Sequence, residues 1–556
     1  MKQTITTILL FAAIALPTLA QPKWFKKARK AQANIITYDA SGQIIRSTNG
    51  FFIDTEGTLL TDYAAFKGAV RAVVIDEKGK EYPIETIEGA SSLYDVIKVK
   101  AVGIQSTPLT LAATAAVGSS AYVMPYVSSK AGVPTITSVS DVSTFNDIYS
   151  YYTLPTKLNE KSTSCPVMNE AGEVLGLLQM AVKETENKSY VLSAAYAQSL
   201  ATNALSATAS DYRDLPIRKA LPADASQASS FIYLIGTRDT MLYLAYVDDF
   251  IQRFPTEVGG YTMKAEMLSA KNAFADADAV WDEGLKATTA ADEIHFSRAR
   301  SLFAVAQDPK RQQAYPSWTF EAAMQEVEAA YAAKPLPIYL ALQGHILYAQ
   351  KQYAAAASKF VDVCQTNMRS AENFLYAAQC HQMLSDTLAV LAMQDSAVAC
   401  FTKPYVADAA PSLLMRAQTL LALKRYRDAV ADLNDYERLR SRDVNANFYY
   451  QRYQAEMQSR LFQQALNDIE RAARMEPKEP IFQAELAATH YRFQQFDEAI
   501  SAARSAIALD DTFADAHRIL GICLRAQKKE QEARASLQRA ADLGDELAKN
   551  LLNAKP

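Results

Sequence analysis

The chain has 556 residues, 49% of them hydrophobic, which is enough for several domains with sizeable cores. The formal net charge of −4 argues against nucleic acid as the main ligand, because phosphate binding needs a basic surface. With 18 glycines and 20 prolines, the composition also excludes collagen-like and low-complexity proteins.

The first twenty residues have the pattern of a secretory signal peptide. Lys2 precedes an apolar stretch from Ile5 to Leu16, and Thr18-Leu19-Ala20 places small residues before a cleavage site. The apolar run is shorter than the ~20 residues of a membrane span, and the later sequence contains no longer one. We therefore expect an exported protein that is not an integral membrane protein. Its expected location is the periplasm of a Gram-negative bacterium, with secretion or display at the cell surface as the alternative.

The segment 21–32 is basic and carries two aromatic residues, Trp24 and Phe25. Its five cations are Lys23, Lys26, Lys27, Arg29 and Lys30. One interpretation is contact with an anionic envelope polymer or a lipid head group. The helical spacing of the apolar residues favours a second interpretation, a short amphipathic helix that packs Trp24 against the following domain.

Residues 33–205 have the pattern of a β domain. Runs rich in β-branched and aromatic residues alternate with turn residues, and they predict strands over Asn34–Tyr38, Gly50–Ile53, Ala72–Ile75, Val96–Val99, Ala121–Met124, Thr135–Val139, Val174–Met180 and Tyr190–Leu192. Short strands at this regular spacing are typical of a sandwich or a barrel.

Three local sequences give this domain a specific resemblance. The pair Asn49–Ile53 and Gly57–Thr61, the run Tyr94–Val99, and the pair Cys165–Asn169 and Gly172–Leu177 resemble segments of HtrA-type, trypsin-like serine proteases. The resemblance implies two six-stranded Greek-key barrels. It also implies the positions of a catalytic triad, and this chain departs from the family at each of them.

In that family, histidine follows the Leu-Thr stretch where this chain has Ala64, and aspartate stands where this chain has Leu93. The position of the nucleophile is taken by Thr163, and a glycine of the oxyanion hole is replaced by Lys161. Asp95 lies two residues beyond Leu93, so we expect it on the same face of the strand, about 7 Å away.

The β domain contains no histidine, since those of the chain are His295, His345, His381, His490 and His517. A serine or threonine hydroxyl needs an adjacent general base to act as a nucleophile at neutral pH. A Ser–Lys dyad through Lys161 would require a buried, deprotonated lysine, and Cys165 has no histidine partner. We therefore predict a pseudo-protease rather than an enzyme. The sequence has neither histidines at metal-ligand spacing nor a glycine-rich phosphate loop, so we expect no metal and no cofactor.

Residues 228–556 carry a repeated pattern, and the Ala-, Ser- and Asp-rich stretch before them, 206–227, is predicted to be a linker. Alanines recur at spacings of 46, 33, 41, 32, 36, 34 and 34 residues, at Ala277, Ala323, Ala356, Ala397, Ala429, Ala465, Ala499 and Ala533. An aromatic residue stands three positions before six of them, and an apolar residue stands four positions after each. A small residue with a large one a turn later lets two helices approach closely.

This period resembles that of tetratricopeptide (TPR) repeats, with an irregular all-helical domain as the alternative. The resemblance implies about eight antiparallel helix pairs in a superhelix with a concave groove, and a capping helix over Asp545–Ala554. The two long spacings predict longer loops near Asp308–Ser317 and Ser385–Gln394. Three cysteines fall in neighbouring predicted helices, at Cys364, Cys380 and Cys400. We expect them to be core residues, and the alternative, which export permits, is one disulfide among them.

In a TPR helix pair the first helix, here called helix A, lines the groove. Anchoring each repeat on its alanine places a set of candidate partner-binding residues on that face: Asn447, Tyr450, Gln454, Tyr491, Arg492, Asp515, Arg518 and Arg525. A groove that mixes tyrosine with arginine suits a protein or peptide segment, since these residues supply many interface hot spots. The alternative is that the tyrosines pack between repeats.

These patterns predict an exported, non-catalytic scaffold of the cell envelope, whose TPR repeats recruit protein partners and whose protease-like domain is inactive. The alternative is a divergent serine or threonine endopeptidase that captures substrate through its repeats. The 29 tyrosines also leave a carbohydrate-binding role open, although no motif localises it.

Overall fold

The computed structural model describes residues 22–76, 79–124, 133–181, 186–237 and 239–553. The predicted signal peptide, residues 1–20, lies outside the described residues. The chain divides into two compact units. One extends to Leu268 and includes Asp282–Thr289, and the other comprises Ser269–Trp281 and continues from Ala290. The first unit therefore includes helices that the sequence pattern assigned to the repeat region from 228 onward.

A closed barrel of six strands opens the β structure of the first unit. Its strands are β1 (Gln32–Tyr38), β2 (Ile44–Phe52), β3 (Thr58–Thr61), β4 (Arg71–Ile75), β5 (Glu81–Ser91) and β6 (Val96–Ala101). They follow the order β1-β2-β3-β6-β5-β4, and antiparallel pairing of β4 with β1 closes the ring. Because side chains alternate along a strand, residues such as Ile35, Leu59 and Val99 point inward and form a buried core.

A second antiparallel sheet follows. Its strands are β7 (Ser120–Val123), β8 (Thr135–Ser138), β9 (Asp141–Phe145), β10 (Tyr149–Leu154), β11 (Pro166–Met168), β12 (Val174–Met180) and β13 (Ser189–Ser193). Their order is β8-β7-β11-β12-β13-β10-β9. The resemblance implied a second barrel of six strands, whereas the described strands form an open sheet of seven because β9 adds to β10 at one edge.

The basic segment forms helix α1 (Phe25–Ala31), which packs on the second sheet. Phe25 is buried in one apolar cluster with Val174 of β12. The Trp24 indole donates a hydrogen bond to the Glu170 carbonyl (3.0 Å) and covers Gly172, where a Cβ would lie 2.2 Å from the ring. The segment therefore adopts the packed helix that its apolar spacing favoured, with its cations exposed.

The predicted linker, 206–227, is instead part of the first unit's core. Tyr212, Leu215 and Ile217 are buried in the same apolar cluster as the core residues of the six-stranded barrel. The Tyr212 hydroxyl accepts a hydrogen bond from the Ala90 N–H (3.2 Å), and Lys219 bridges to Ile87 of β5. The surrounding alanines and serines resemble a solvated linker, but these three apolar side chains anchor the segment to the barrel.

Most of the remaining described chain is helical. The helices up to the boundary between the units are α2 (Ala194–Ser199), α3 (Ser210–Arg213), α4 (Ala225–Ile235), α5 (Thr240–Arg253), α6 (Val258–Ala270) and α7 (Phe274–Ala287). Those that follow are α8 (Ala291–Ala306), α9 (Pro309–Ala314), α10 (Phe320–Ala333), α11 (Pro337–Ala349), α12 (Tyr353–Cys364), α13 (Ala371–Met383), α14 (Thr387–Val398), α15 (Ala410–Ala422), α16 (Tyr426–Leu439), α17 (Ala446–Gln458), α18 (Phe462–Met475), α19 (Pro480–Arg492), α20 (Phe496–Leu509), α21 (Ala514–Ala526), α22 (Glu530–Asp542) and α23 (Glu546–Asn553). None of the described helices has both the length and the apolar sequence needed to cross a lipid bilayer.

The repeated alanines hold the helix pairs together. All eight are fully buried. Helices approach so closely that a Cβ on Gly521 of α21 would lie 2.6 Å from Leu537 Cγ of α22, and one on Gly344 of α11 would lie 2.9 Å from Phe360 of α12. The spacing of small and large residues therefore predicted the helix-pair packing correctly for seven of the eight alanines, the exception being Ala397.

A left-handed residue marks the turn between the two helices of a pair. It lies two positions before the second helix, helix B, at Asn272, Lys351, Ser385, Lys424, Arg460, Gln494 and Lys528. All of them have a φ near +60°, and the 34-residue steps between several of them repeat the period of the alanines. Glycine, the usual signal of this conformation, is absent from these seven positions, so composition alone did not reveal the turns.

The left-handed turn at Ser385 shows that one of the two predicted long loops is misplaced. Helix α14 begins at Thr387, so Val390 rather than Ala397 holds the third position after the helix start. The extra residues of this repeat lie at 399–409, between α14 and α15, and the longer loop predicted over Ser385–Gln394 is wrong. The other predicted insertion, near Asp308–Ser317, contains the short helix α9.

The cysteines of the repeats are free thiols in the structure. Cys364 and Cys400 share one apolar cluster with Phe374, and Cys380 lies in another. Burial raises the pKa of Cys380 to about 11, so its thiol is protonated at neutral pH.

A buried ion cluster joins α17 to α18. Arg452 donates to both carboxylate oxygens of Asp468, at 2.6 and 3.0 Å, and its Nη2 lies 2.7 Å from Glu437. Glu456 Oε1 lies 3.9 Å from Arg452 Nε, while its Oε2 is buried without a hydrogen-bond partner. Burial, reinforced by the charge of Asp468, raises the pKa of Glu456 to about 8. Glu456 therefore keeps its proton in the folded protein at neutral pH.

We expect Glu456→Gln to stabilise the protein above pH 8 and to have little effect near pH 5. The folded-state pKa lies above the reference value of 4.5, so the wild type loses stability as the pH rises between these two values. Glutamine mimics the protonated side chain and removes that loss, for which one pKa unit corresponds to about 1.36 kcal/mol. Thermal unfolding from pH 5 to pH 9 measures the effect, which we expect to reach several degrees.

The exposed Glu498 of α20 offers the matched control, and Glu498→Gln is expected to shift the unfolding midpoint equally little at every pH. A midpoint difference between Glu456→Gln and wild type that does not grow with pH would contradict the assignment.

Candidate functional site

Two of the three positions predicted for a degenerate triad line a cleft of the β domain. Leu93 and Thr163 line this cavity of about 390 Å³. Its other lining residues are Arg46, Asp62, Tyr94, Asp95, Tyr151, Glu160, Ser164, Leu177, Gln179 and Met180. They come from both sheets, so the cleft lies where the barrel and the seven-stranded sheet face each other.

Two side chains of the barrel hold the loop 160–165 of the second sheet. Asp62 Oδ1 accepts hydrogen bonds from the hydroxyls of Thr48 and, at 3.0 Å, Ser164. The Asn49 amide donates to the carbonyls of Lys161 (2.8 Å) and Thr163 (2.9 Å). The conformation of the loop that bears the predicted nucleophile position is therefore fixed from the barrel side.

The structure brings Asp95, not Leu93, to Ala64. The Ala64 N–H donates to Asp95 Oδ1 at 2.8 Å, whereas the Leu93 side chain is 81% exposed. Asp95 immediately precedes β6 with a φ of +46°, and this left-handed turn redirects its carboxylate toward the short 3₁₀ helix Tyr63–Phe66. The carboxylate beside the Ala64 backbone is therefore that of Asp95, while the assignment of the family's aspartate position to Leu93 stays a prediction.

The Thr163 hydroxyl is engaged with the backbone. Its Oγ1 donates to the Glu160 carbonyl at 2.7 Å and makes no contact with a general base. Lys161 is exposed, so it lacks the burial that a deprotonated lysine base requires, and Cys165 is fully buried. None of these three side chains is placed to act as an activated nucleophile or its base.

The backbone N–H groups of the loop are also occupied. Those of Lys161 and Ser162 donate to the side chain and the carbonyl of Asn159, at 2.9 and 2.8 Å. Those of Thr163, Ser164 and Cys165 donate to the carbonyls of Glu160 (3.0 Å), Leu178 (2.8 Å) and Ser162 (3.0 Å), in that order. An oxyanion hole needs N–H groups that are free to meet developing negative charge, and none of these five is free.

Two acidic groups of the cleft, Asp95 and Tyr151, have raised pKa values. Burial raises the pKa of Asp95, and the negative charge of Asp62 adds to the shift, while Ala64 N–H, Arg46 and Lys67 oppose it. Burial also raises the pKa of Tyr151 to about 12, so its hydroxyl is neutral and donates to Gln179 Oε1 at 2.8 Å. Among the described residues, no group of His, Cys, Asp and Glu side chains has the arrangement of a metal site.

Asp62 and Asn49 were missed by sequence reasoning. Both lie at the ends of strand segments whose resemblance to proteases drew attention to the triad positions instead. The available signal was a charged residue, Asp62, directly after the apolar strand β3. In the structure Asp62 is 2% exposed, and a carboxylate buried to that degree must have hydrogen-bond donors nearby.

In the repeats, the predicted partner-binding residues differ in their surroundings. Asn447 and Gln454 of α17 are exposed, and so is Tyr491 of α19. Tyr450 is half-buried, with its ring 5.1 Å from that of Phe482 in the next repeat. Asn447, Gln454 and Tyr491 are thus available to a partner, while Tyr450 also packs between repeats.

The three predicted arginines have partners within the chain. Arg492 is exposed and lies 5.2 Å from the ring centroid of Phe462. Arg518 forms ion pairs with Asp515, which is exposed, and with the nearly buried Asp545, at 2.6 Å to the latter. Arg525 donates to the carbonyl of Leu551 (3.1 Å) and pairs with Glu530 (3.3 Å). Arg518 and Arg525 therefore hold the last helices together.

We expect Arg518→Ala to loosen helix α23. Asp545 caps this helix by accepting the Ala548 N–H (2.9 Å), and Arg518 positions that carboxylate. Losing the pair is expected to cost about 1–2 kcal/mol locally and to speed amide hydrogen exchange in α23. Arg534→Ala, at an exposed position of α22, is the matched control. Unchanged exchange in α23 would leave Arg518 free for a partner.

Part of the repeat region matches a known family. Residues 450–512 and 485–548 match the family model for the tetratricopeptide repeat. No curated protein matches the sequence significantly.

Several solved structures are similar to parts of the chain. YrrB, a TPR protein with an unusual peptide-binding site, is 18% identical over 36% of this chain and 100% of its own, with a TM-score of 0.31. The HtrA-type protease AlgW, solved with a tripeptide, is 15% identical over 31% of this chain and 61% of its own, with a TM-score of 0.27. The inactive form of Rv3671c from M. tuberculosis is 18% identical over 32% of this chain and 88% of its own, with a TM-score of 0.27.

The protein thus combines an N-terminal β domain, built from a six-stranded barrel and a seven-stranded sheet, with a helical array that contains tetratricopeptide repeats.

Proposed function

We propose that the protein is an exported, non-catalytic scaffold of the cell envelope that recruits protein partners through its TPR repeats. The signal-peptide pattern of residues 1–20 supports export, to the periplasm of a Gram-negative bacterium. The exposed polar face of α17 supports recruitment of a protein or peptide segment. The β domain then serves as a folded platform without peptidase activity.

The observation that carries the non-catalytic part is the loop 160–165. Acyl transfer requires a base for the nucleophile and free donors for the oxyanion. Residues 33–205 contain no histidine, and every N–H from Lys161 to Cys165 already has an acceptor within the protein. Both requirements fail at the same place.

An active-site-directed fluorophosphonate probe tests this proposal on the full chain. We expect no labelling of Thr163 or of its neighbours Ser162 and Ser164. Labelling of any of these hydroxyls would favour the alternative, a divergent serine or threonine endopeptidase that uses its repeats for substrate capture.

Restoring the missing side chains is expected not to restore activity. In Ala64→His with Thr163→Ser, the new imidazole has Asp95 beside its own backbone, so a triad would be complete in composition. The N–H groups of Lys161 and residue 163 stay bonded to Asn159 and Glu160, and loss of one oxyanion donor alone costs about 100–1,000-fold in rate. We expect turnover of a chromogenic peptide to equal that of the wild type. Hydrolysis clearly above that level would show that the loop rearranges to free its donors.

The exposed face of α17 is the expected contact for partners. Asn447→Arg with Gln454→Arg adds bulk and charge there without disturbing a buried group, so we expect partner capture to fall at least tenfold, about 1.4 kcal/mol, with an unchanged unfolding midpoint. Affinity capture from envelope extracts, quantified by mass spectrometry, measures the change.

Gln464→Arg with Asn467→Arg, at exposed positions of the paired helix α18, adds the same charge as a matched control. Equal capture by the two double variants would place the binding face elsewhere.

A further inference from the structure

The turn into helix α14 lacks an aromatic side chain that most of the other repeats carry. Helix B begins two residues after the left-handed turn residue, and after five of the seven turns its first residue is aromatic. These five residues, all buried or half-buried, are Phe274, Tyr353, Tyr426, Phe462 and Phe496. Helix α14 begins instead with Thr387, whose side chain is small and exposed.

In two later repeats this ring packs against the next helix A. The ring of Phe462, the first residue of α18, has its centroid 5.2 Å from the guanidinium of Arg492 at the end of α19. Phe496, the first residue of α20, packs against an apolar cluster that contains Ile519 and Cys523 of α21. The first side chain of helix B therefore fills the space between two successive repeats.

At Thr387 the corresponding space is a cavity of about 310 Å³, which α15 also lines through Met415 and Thr419. Helices α15 and α21 both have 13 residues, so they can be compared position by position. Met415 and Thr419 then stand where α21 has Ile519 and Cys523, the residues beside the ring of the later repeat. The cavity therefore lies where the missing ring would be.

The walls of this cavity combine apolar surface with uncharged polar groups. Its other lining residues are Gln382, Ser385, Val390, Gln394, Gln418 and Ala422. Gln394 is 3% exposed, and its Oε1 has no hydrogen-bond partner, so the wall keeps an amide acceptor that the protein does not use. A neutral ligand with a hydroxyl group suits such a wall, whereas a charged group would find no opposite charge among these lining residues.

Three large apolar side chains are exposed on the same turn. Met383, Leu384 and Leu388 alternate along the chain with the lining residues Ser385 and Thr387. Their exposed fractions are 51, 46 and 72%. Exposed apolar surface grouped in this way is typical of a protein interaction site. A small molecule held in the cavity alone would leave this surface in water, so a larger partner fits the site better.

We propose that the cavity between α14 and α15 binds a tyrosine side chain of a protein segment. The ring takes the space of the missing aromatic residue, the hydroxyl meets the amides of the wall, and flanking residues cover the exposed apolar side chains. Tyrosine combines a rigid ring with a hydrogen-bonding group, which makes it a frequent anchor of protein interfaces. This inference rests on the recruitment of protein partners proposed above, and it gives them a contact separate from the face of α17.

Alanine pentapeptides with tyrosine, leucine or lysine at the centre, blocked at both termini, test the ligand. Each is titrated into the full chain by saturation-transfer difference NMR. We expect the tyrosine peptide to bind at least tenfold more tightly than the other two, because leucine lacks the ring and the hydroxyl and lysine carries an unpaired charge. Equal binding of the three peptides would overturn the proposal.

p-Cresol has the same ring and hydroxyl without a peptide. We expect it to bind several-fold more weakly than the tyrosine peptide, since it leaves the exposed apolar side chains uncovered. If p-cresol binds as tightly as the peptide, the cavity is a site for free phenols and the protein segment is the wrong occupant.

Two variants that fill the cavity locate the site. Thr387→Phe restores a ring at the start of helix B, and Ala422→Phe adds one from α15. We expect each to weaken the tyrosine peptide at least tenfold, and Thr387→Phe also to raise the unfolding midpoint, because it fills a cavity. Leu388→Phe, at the next residue, which is 72% exposed, is the matched control and should change neither property.

Unchanged peptide binding in both Thr387→Phe and Ala422→Phe would overturn the location. A lower unfolding midpoint of Thr387→Phe would show that the space does not accept a ring, which contradicts the proposal as well.

The double variant Asn447→Arg with Gln454→Arg separates this inference from recruitment through α17, and we expect it to bind the tyrosine peptide normally. If wild type does not bind the peptide while this variant still reduces partner capture, the cavity proposal alone fails. If wild type binds the peptide but captures no envelope protein, the recruitment role fails and the tyrosine site stands.

Discussion

The hydrogen bonds of Asp62 and Asn49 to the loop 160–165 are the contacts on which the β domain's cleft depends. Asp62 joins hydroxyls of the barrel to Ser164, and Asn49 binds the carbonyls of Lys161 and Thr163. Ser164 has a φ of +63°, a conformation that costs a residue with a Cβ about 1 kcal/mol or more, and its hydrogen bond to Asp62 helps offset that cost.

Holding the loop in this way has two chemical consequences. The N–H groups from Lys161 to Cys165 donate to acceptors within the chain, so none of them is free to bind an oxyanion. The carboxylate of Asp62 is also held at the cleft by its bonds to Thr48 and Ser164, where its charge adds to the effect of burial in raising the pKa of Asp95. The occupied N–H groups and the position of the Asp62 carboxylate therefore both follow from the hydrogen bonds between the barrel and the loop.

The sequence predicts those features that depend on repeated local packing. The buried alanines and the large residues after them define the helix pairs because helix contacts recur with the period of the repeat. The turns at Ser385 and Lys424 escaped notice, since neither residue is glycine although both are left-handed. Leu93 was assigned from the family resemblance, which carries no record of the left-handed turn at Asp95 that brings this carboxylate to the Ala64 N–H. Residues 206–227 resembled a linker in composition, although the side chains of Tyr212 and Leu215 pack in the apolar cluster of the barrel.

The repeats distribute their charge differently from the β domain. Arg416 and Arg452, 36 residues apart, each form a two-pronged pair with an aspartate of the paired helix, Asp432 or Asp468. Arg518 and Arg525 are likewise satisfied by the last helices. The exposed side chains of helix α17 are amides such as Asn447 and Gln454, because its one arginine, Arg452, is buried in such a pair.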